Sequence, residues 1–364
     1  MEVNLTALAQ NYRALRDHAA PAKVMAMIKA NAYGHGLVSC AQRLTHEGCY
    51  SLGVAFIEEA IELRQAGISV PILVFGGIFG AQLKSYLDYG IDISASSISK
   101  LQQIEEAART NGKRARVHLE IDSGIERTGV HHYSSTGLLE ETLRCQHCDI
   151  VGIFSHFARA DEEDLSFSKI QLERFLETLR FFEQRSLPMP IRHMANSAAT
   201  LRLKESHLDM IRPGICLFGV YPEVHLQQYL PLIPVMSLKS SVVYFKVVKK
   251  GSGVSYGHRW IAPQDTRVVT VPIGYGDGYF RLLSNRSSVL IRGHRYPVVG
   301  NVCMDQLMVD IGPNGEAYNG DEVVLVGAQG NERISVNELA DLVGTITHEI
   351  LTATNLRVPR VYIG

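Results

Sequence analysis

Between Lys23 and about Gly219 the chain repeats one texture eight times: a short β-rich apolar run, followed in most cases by an amphipathic stretch. The runs are KVMAMIK, SLGVAF, PILVFGG, IDISAS, RVHLEID, DIVGIFSHF, IRHMANS and MIRPGICLFG. Segments between them, such as IEEAIELRQAG and SKIQLERFLETLRFFEQR, space their apolar residues three and four apart, as a helix with one buried face does. Parallel strands need crossovers of that kind, and eight units predict closure into a (β/α)8 TIM-like barrel rather than an open α/β sheet.

After Pro231 the texture changes. MSLKSSVVYFKVVKKG, TRVVTVPIGYG, SSVLIRGHRYPVVG, CMDQLMVDIG and DEVVLVG are β-rich and divided by glycine-containing turns, and a single helical segment, SVNELADLVGTITHEIL, comes near the end. The expected organisation is a barrel over residues 1–230 and a mostly β domain over 231–364, with the boundary between Tyr229 and Pro234, where two prolines interrupt the chain. A length of 364 residues accommodates one large domain and one smaller one.

Charge narrows the function class. With 20% charged residues and a formal net charge of -1, the chain lacks the basic excess of a nucleic-acid binder. No run approaches the 18 or so apolar residues of a membrane span, and MEVNLTALAQNYRAL has no continuous apolar core like that of a signal peptide. A cytoplasmic protein acting on a small molecule is expected. The six cysteines are scattered, so reduced thiols are expected. Cys145 and Cys148 form a C-x-x-C without a second ligand pair, and TLRCQHC reads as the end of an amphipathic helix; no metal site is expected.

The segment MIKANAYGHG sets a lysine, Lys29, just after the first strand run. Arg127 follows the fifth run, His156 ends the sixth, Asn196 and Ser197 end the seventh, and Arg212 sits in the eighth. All fall near the carboxyl ends of strands, the rim on which barrel enzymes carry their sites. Singly each is weak evidence; their convergence is the signal. A rim lysine with a lowered pKa forms a Schiff base with a carbonyl, whether of a sugar-like substrate or of pyridoxal phosphate. RPGI at Arg212–Ile215 and NSAAT at Asn196–Thr200 offer backbone N–H groups and a hydroxyl to an anion, so a phosphorylated ligand is expected.

Taken in order, MIKANAYGHG, GIFSHFARADE, HMANSAAT, MIRPGICLFG, GVSYGHRW, GYGDGY, NVCMDQ and LRVPRVY resemble the successive motifs of alanine racemases across nearly the whole chain. The resemblance implies a barrel that binds pyridoxal 5'-phosphate, a β domain, and a head-to-tail homodimer with shared active sites. It implies interconversion of L- and D-alanine, supplying D-alanine for peptidoglycan. Lys29 would carry the cofactor and act as one base, and Tyr256 as the other. Tyr33, Asn196, Ser197, Gly214 and Ile215 would surround the phosphate, Arg212 would meet the pyridine nitrogen, and His156 would bond Arg212. Arg127 and Met304 would line the substrate, and Asp161, Tyr275 and Arg281 the entrance. Four departures stand out. Asn301 replaces a common arginine, Leu356 replaces a tyrosine, and Glu120 replaces a lysine that is often carbamylated, so a Glu120–Arg127 pair is expected. Gly124-Ile125-Glu126-Arg127 stands where the family reads Gly-Met-Gly-Arg. The alternatives are a broader racemase acting also on serine, a pyridoxal-phosphate barrel decarboxylase, which would carry a carboxylate in place of Arg212, and a non-catalytic carrier of the cofactor.

Overall fold

The computed structural model of the chain describes residues Met1–Gly364. Eight strands coincide with the eight apolar runs: β1 (Lys23–Met27), β2 (Ser51–Val54), β3 (Ile72–Val74), β4 (Asp92–Ala95), β5 (Ala115–Asp122), β6 (Cys148–Phe154), β7 (Ile191–His193) and β8 (Met210–Ile211). Each pairs in parallel with the next, and β8 pairs back onto β1, so the eight strands close as expected, with a short ninth strand, Val130–His131, added beside the end of β5. Every position of β2 and β4 is buried, because helices cover the outside while side chains fill the inside. Helix Ser166–Gln184 supplies the matching face, burying Leu172, Phe175, Leu179 and Phe182 at spacings of three and four. Each such residue contributes roughly 1.5–3 kcal/mol by its burial. No helix of the chain is long and apolar enough to cross a membrane.

The barrel interior also carries polar groups, and they demand local irregularity. Between β5 and β6 the register shifts at Val117/His118, so that Val117 faces Ile150 while His118 faces Gly152. A bulge of this kind re-aims a side chain. It sets the His118 ring over Gly152, where an added Cβ would lie 2.0 Å from His118 Nδ1; no larger residue fits without moving the imidazole.

The second compact unit comprises Pro234–Gly364 together with two short earlier segments, Met1–Ala7 and Tyr33–Gly36. Glu2–Asn4 is a strand of the β unit, pairing antiparallel with Met236–Ser241 and parallel with Val361–Ile363. Its one central apolar residue, Val3, is fully buried, which is too short a pattern to assign from sequence. The glycine of Tyr33-Gly34 is explained here as well. Gly34 has φ 83°, a Cβ there would come within 2.4 Å of the Leu351 carbonyl, and the Arg360 guanidinium donates to the Gly34 carbonyl at 3.1 and 3.2 Å.

Two helical expectations change. The segment near the end forms two helices, Val336–Val343 and Thr347–Thr352, because Gly344 turns left-handed at φ 74° and ends the first. The C-x-x-C is not helical. Helix Thr136–Thr142 ends before it in a tightened turn, Cys145 lies in the connection, and pairing of Ala115 with Cys148 draws the second cysteine into β6.

Gly152→Ala is expected to displace His118 and cost about 1–3 kcal/mol. Urea unfolding checks this, and an unchanged midpoint would show that the ring can relocate at no cost.

Candidate active site

The residues singled out at the ends of the barrel strands do gather at one rim of the barrel unit. Lys29 follows β1 by two residues, Arg127 lies in the loop after β5, His156 follows β6, Asn196 and Ser197 follow β7, and Arg212 directly follows β8. Immediately after Lys29 the backbone is strained: Ala30, Asn31, Ala32 and Tyr33 have φ of 53, 55, 53 and 52°. Left-handed backbone costs roughly 1–2 kcal/mol per residue for side chains with a Cβ. It persists because it is braced. Ala32 N–H donates to the Ile28 carbonyl at 2.8 Å, Leu37 N–H to the Asn31 side chain at 2.7 Å, and Asn31 N–H to the Glu59 carboxylate at 3.3 Å. Strain held in this way clusters at functional sites.

Arg212 is the deepest of the rim residues, 3% exposed. Its Nη1 donates to the His193 carbonyl at 2.7 Å and to His193 Nδ1 at 2.9 Å. Its Nη2 donates to the Ser155 carbonyl at 2.7 Å, to His156 Nδ1 at 3.1 Å and, more weakly, to the Met194 carbonyl at 3.4 Å. Phe75 and Phe154 lie 5.6 and 5.4 Å from the guanidinium carbon, so the cation sits against aromatic rings. Only Nε–H makes no hydrogen bond within the protein.

Because arginine only donates, these bonds dictate the histidine tautomers. His193 accepts at Nδ1 and must carry its proton on Nε2, which donates to His118 Nδ1 at 2.9 Å. His118 then carries its proton on Nε2 and donates to Asp92 at 3.4 Å, while Arg116 grips the same carboxylate at 2.7 and 3.2 Å. A directed relay thus runs from Arg212 through two buried rings to a buried carboxylate. Sequence reading missed His193, His118 and Asp92. Burial, reinforced by the Arg212 charge, holds His156 and His193 well below the usual histidine range, so both are neutral. Burial brings Arg212 down to about 9 against the opposing pull of Glu120, and it remains a cation at neutral pH.

Lys29 is depressed as well, first by burial and then by the positive charge of Arg127, with Glu59 opposing. The residue is exposed by surface area, while burial of its amino group sets the direction of its proton affinity. The expected Glu120–Arg127 pair is absent. Glu120 accepts from Thr128 Oγ1 at 2.6 Å and Ser94 Oγ at 3.4 Å, while Glu126 bonds His131 at 2.8 Å, so neither acid holds the Arg127 guanidinium. Asp122 instead fixes the loop, accepting from the N–H groups of Gly124, Ile125 and Arg127 at 2.7, 3.0 and 3.2 Å. Burial raises the Glu120 carboxyl above the ordinary carboxylate range. Glu126 has φ 55°, which explains why glycine suits that position.

Asn196 and Ser197 divide two tasks. The Asn196 side chain caps helix Ser197–Arg202 by accepting from Ala199 N–H, and Ser197 Oγ accepts from Gly214 N–H at 2.9 Å and Cys216 N–H at 3.4 Å. Ser197, Gly214 and Ile215 therefore form one small cluster of hydroxyl and amide groups. In the β unit, Tyr256 is 74% exposed on a turn in which Ser255, Gly257 and His258 all have positive φ. Ser255 Oγ donates to the Asn301 carbonyl at 2.6 Å, and Asn301 Nδ2 donates to the Tyr256 carbonyl at 2.7 Å, so Asn301 braces the turn. Beside it Tyr256, Val254, His258 and Cys303 line a cavity of about 610 Å³. Met304 and Tyr275 are 53% and 43% exposed, Arg281 is exposed too, and Asp161 is half-buried on the barrel unit. Leu356 is exposed.

The neutral state of His193 makes stability depend on pH. An unfolded histidine titrates near 6.5, so the unfolded chain takes up the proton that the fold refuses, and stability falls as pH drops below about 6.5. His193→Gln keeps an acceptor for Arg212 but cannot titrate. Its stability is expected to fall less steeply, by up to about 1.4 kcal/mol per pH unit. Urea unfolding at pH 7 and 5.5 measures the difference, and parallel losses in both proteins would remove His193 from this account.

Residues 3–222 match the family model described as alanine racemase, N-terminal domain, and residues 235–362 match that described as alanine racemase, C-terminal domain. The alanine racemase of Carboxydothermus hydrogenoformans is 43% identical over 363 residues, covering 100% of this chain and 98% of that protein. A crystal structure of alanine racemase from the D-cycloserine producer Streptomyces lavendulae has a TM-score of 0.95 at 38% identity, covering 100% of this chain and 96% of that one. A histidine racemase from Leuconostoc mesenteroides shares the fold at a TM-score of 0.90 and 28% identity, over 100% of this chain and 97% of the other. With both halves matched in order and at full length, the chain belongs to the alanine racemase family.

Proposed function

We propose that this chain interconverts L- and D-alanine with pyridoxal 5'-phosphate, as a cytoplasmic head-to-tail homodimer that supplies D-alanine for peptidoglycan. The observation that carries the reading is Arg212: a buried cation with four of its five N–H groups committed and Nε–H uncommitted. That group suits an acceptor such as a pyridine nitrogen. The rest of the rim fits the same cofactor. Lys29 has the lowered proton affinity an attacking amine needs, and Ser197, Gly214 and Ile215, with the phenol of Tyr33, suit a phosphate.

When bound, pyridoxal phosphate withdraws electrons from the substrate and makes the proton at Cα acidic. Arg212 would hold the ring nitrogen through its Nε–H and would leave it unprotonated, and electron withdrawal would be weaker than with the carboxylate a decarboxylase would carry. The chain's own bases therefore matter more. Inversion needs a proton removed from one face of Cα and returned to the other, and a single base would tend to return the same enantiomer. Lys29 serves one face. The exposed phenol of Tyr256, offered on a braced turn, serves the other from the partner subunit, while Arg127 and Met304 orient the substrate. His156 accepts from Arg212 at Nδ1, so its Nε2–H is left to steady the phenol's oxygen. Asp161, Tyr275 and Arg281 form the entrance.

A second reading, a broader racemase taking serine as well, is favoured by the exposed Leu356 in place of a tyrosine and by the fold shared with a histidine racemase. Circular dichroism of L-alanine, L-serine and L-lysine solutions separates the readings, and carbon dioxide release would mark a decarboxylase.

Lys29→Ala is expected to abolish racemisation and the visible absorbance of the purified protein. Tyr256→Phe should retain that absorbance and lose deuterium exchange at Cα from one enantiomer only, by about 10²–10⁴-fold. Wild-type exchange from both enantiomers would remove Tyr256 as a base, and absorbance surviving in Lys29→Ala would remove the lysine.

A further inference from the structure

At the opposite end of the barrel strands from Lys29, three ligand-type side chains converge. Cys148 opens β6, Cys145 lies in the connection before it, and Glu105 reaches over from helix Ile98–Thr110. Both Sγ atoms and a Glu105 carboxylate oxygen lie within 4.8 Å of one another. Tetrahedral bonds of about 2.3 Å to sulfur separate ligand atoms by roughly 3.7 Å, so a contraction of at most about 1 Å completes the geometry.

The carboxylate is already aimed. Gln146 N–H donates to Glu105 Oε1 at 3.0 Å, His147 N–H donates to both oxygens at 2.9 Å, and His147 Nδ1 lies 2.8 Å from Oε1. Partners of this sort orient a ligand in the manner of outer-shell groups around metals. The Cys145 thiol donates to the Glu141 carbonyl at 3.5 Å, and the Cys148 thiol lies beside both Cys145 and Glu105. Cys148 is buried, whereas Cys145 and Glu105 are half-buried, which leaves a route from solvent. Burial raises both thiols, so without a cation they stay protonated. Arg114 and Glu141 are the other charged groups acting on these cysteines.

We propose that Cys145, Cys148 and Glu105 bind a thiophilic divalent cation of the Zn²⁺ class, with water as the fourth ligand, tying helix Ile98–Thr110 to the start of β6. On binding, two S–H bonds break, two sulfur–metal bonds form, and two protons leave to solvent. The cluster keeps its net charge of one negative, because the two new thiolates balance the cation. This role is structural and separate from the rim chemistry, since the amino-terminal face of a barrel serves stability.

The test uses the full-length protein as purified in reductant, stripped of metal and titrated anaerobically with Co²⁺. One ion per chain is expected, with a sulfur-to-cobalt charge-transfer band, two protons released per ion in weak buffer, and displacement by Zn²⁺. Cys145→Ser should abolish the band, and Glu105→Gln, which keeps both thiols, should weaken binding at least about tenfold. Zn²⁺ should raise the melting temperature of the wild type and not of Cys145→Ser. Absence of the band at saturating Co²⁺, its survival in Cys145→Ser, or a Cys145–Cys148 disulfide in the reduced preparation would each overturn the proposal.

Discussion

A buried arginine that can only donate is the constraint from which the barrel interior follows. Arg212 needs acceptors on every side, and it finds them in the carbonyls of Ser155 and His193 and in the Nδ1 atoms of two histidines. Those rings can accept only while neutral, which burial enforces. His193 must then donate at Nε2, His118 must pass the same polarity onward, and Asp92 with Arg116 must terminate it. Even the backbone answers to this. The β5–β6 bulge and the missing side chain at Gly152 exist where His118 needs space. Removing any one member leaves a buried polar group without its partner, the arrangement that proteins tolerate least.

This relay also separates two electrostatic jobs at the rim. Arg212 is locked as a donor with one N–H group to spare, whereas Lys29 is pushed toward neutrality by burial and by Arg127. Two basic side chains of one site are thus tuned by different neighbours. The difference comes from their surroundings, because four of the arginine's five N–H groups have acceptors while the lysine stands at a strained turn beside a second cation. The other face of the barrel carries no such machinery, and the Cys145–Cys148–Glu105 cluster there acts on how a helix and a strand are joined.

Much of this was legible in the sequence because it is local. Alternating apolar runs and amphipathic stretches gave eight strands in order, and residues just past those runs fell on the rim. What escaped is non-local. His118 and His193 sit 75 residues apart, and in its own strand each reads as an isolated structural histidine. Glu120 and Arg127 looked like a pair by charge, but Thr128, one residue further on, reaches the carboxylate first. Met1–Ala7 belongs to the β unit through strand pairing, and Tyr33–Gly36 through the Arg360 bonds to Gly34, in each case with residues more than 200 positions away, which no window of periodicity detects. The C-x-x-C was read as a helix end because nothing in its neighbourhood announced Glu105, some 40 residues earlier.

The most direct test of the relay is the position of its protons. Nitrogen-15 NMR of histidine-labelled protein, assigned through single substitutions, reports which ring nitrogen carries hydrogen. His193 and His118 should each be neutral and protonated on Nε2 alone, with Nδ1 bare and accepting. A proton on His193 Nδ1, or a doubly protonated ring at neutral pH, would contradict the account, because Arg212 would then have no acceptor on that side.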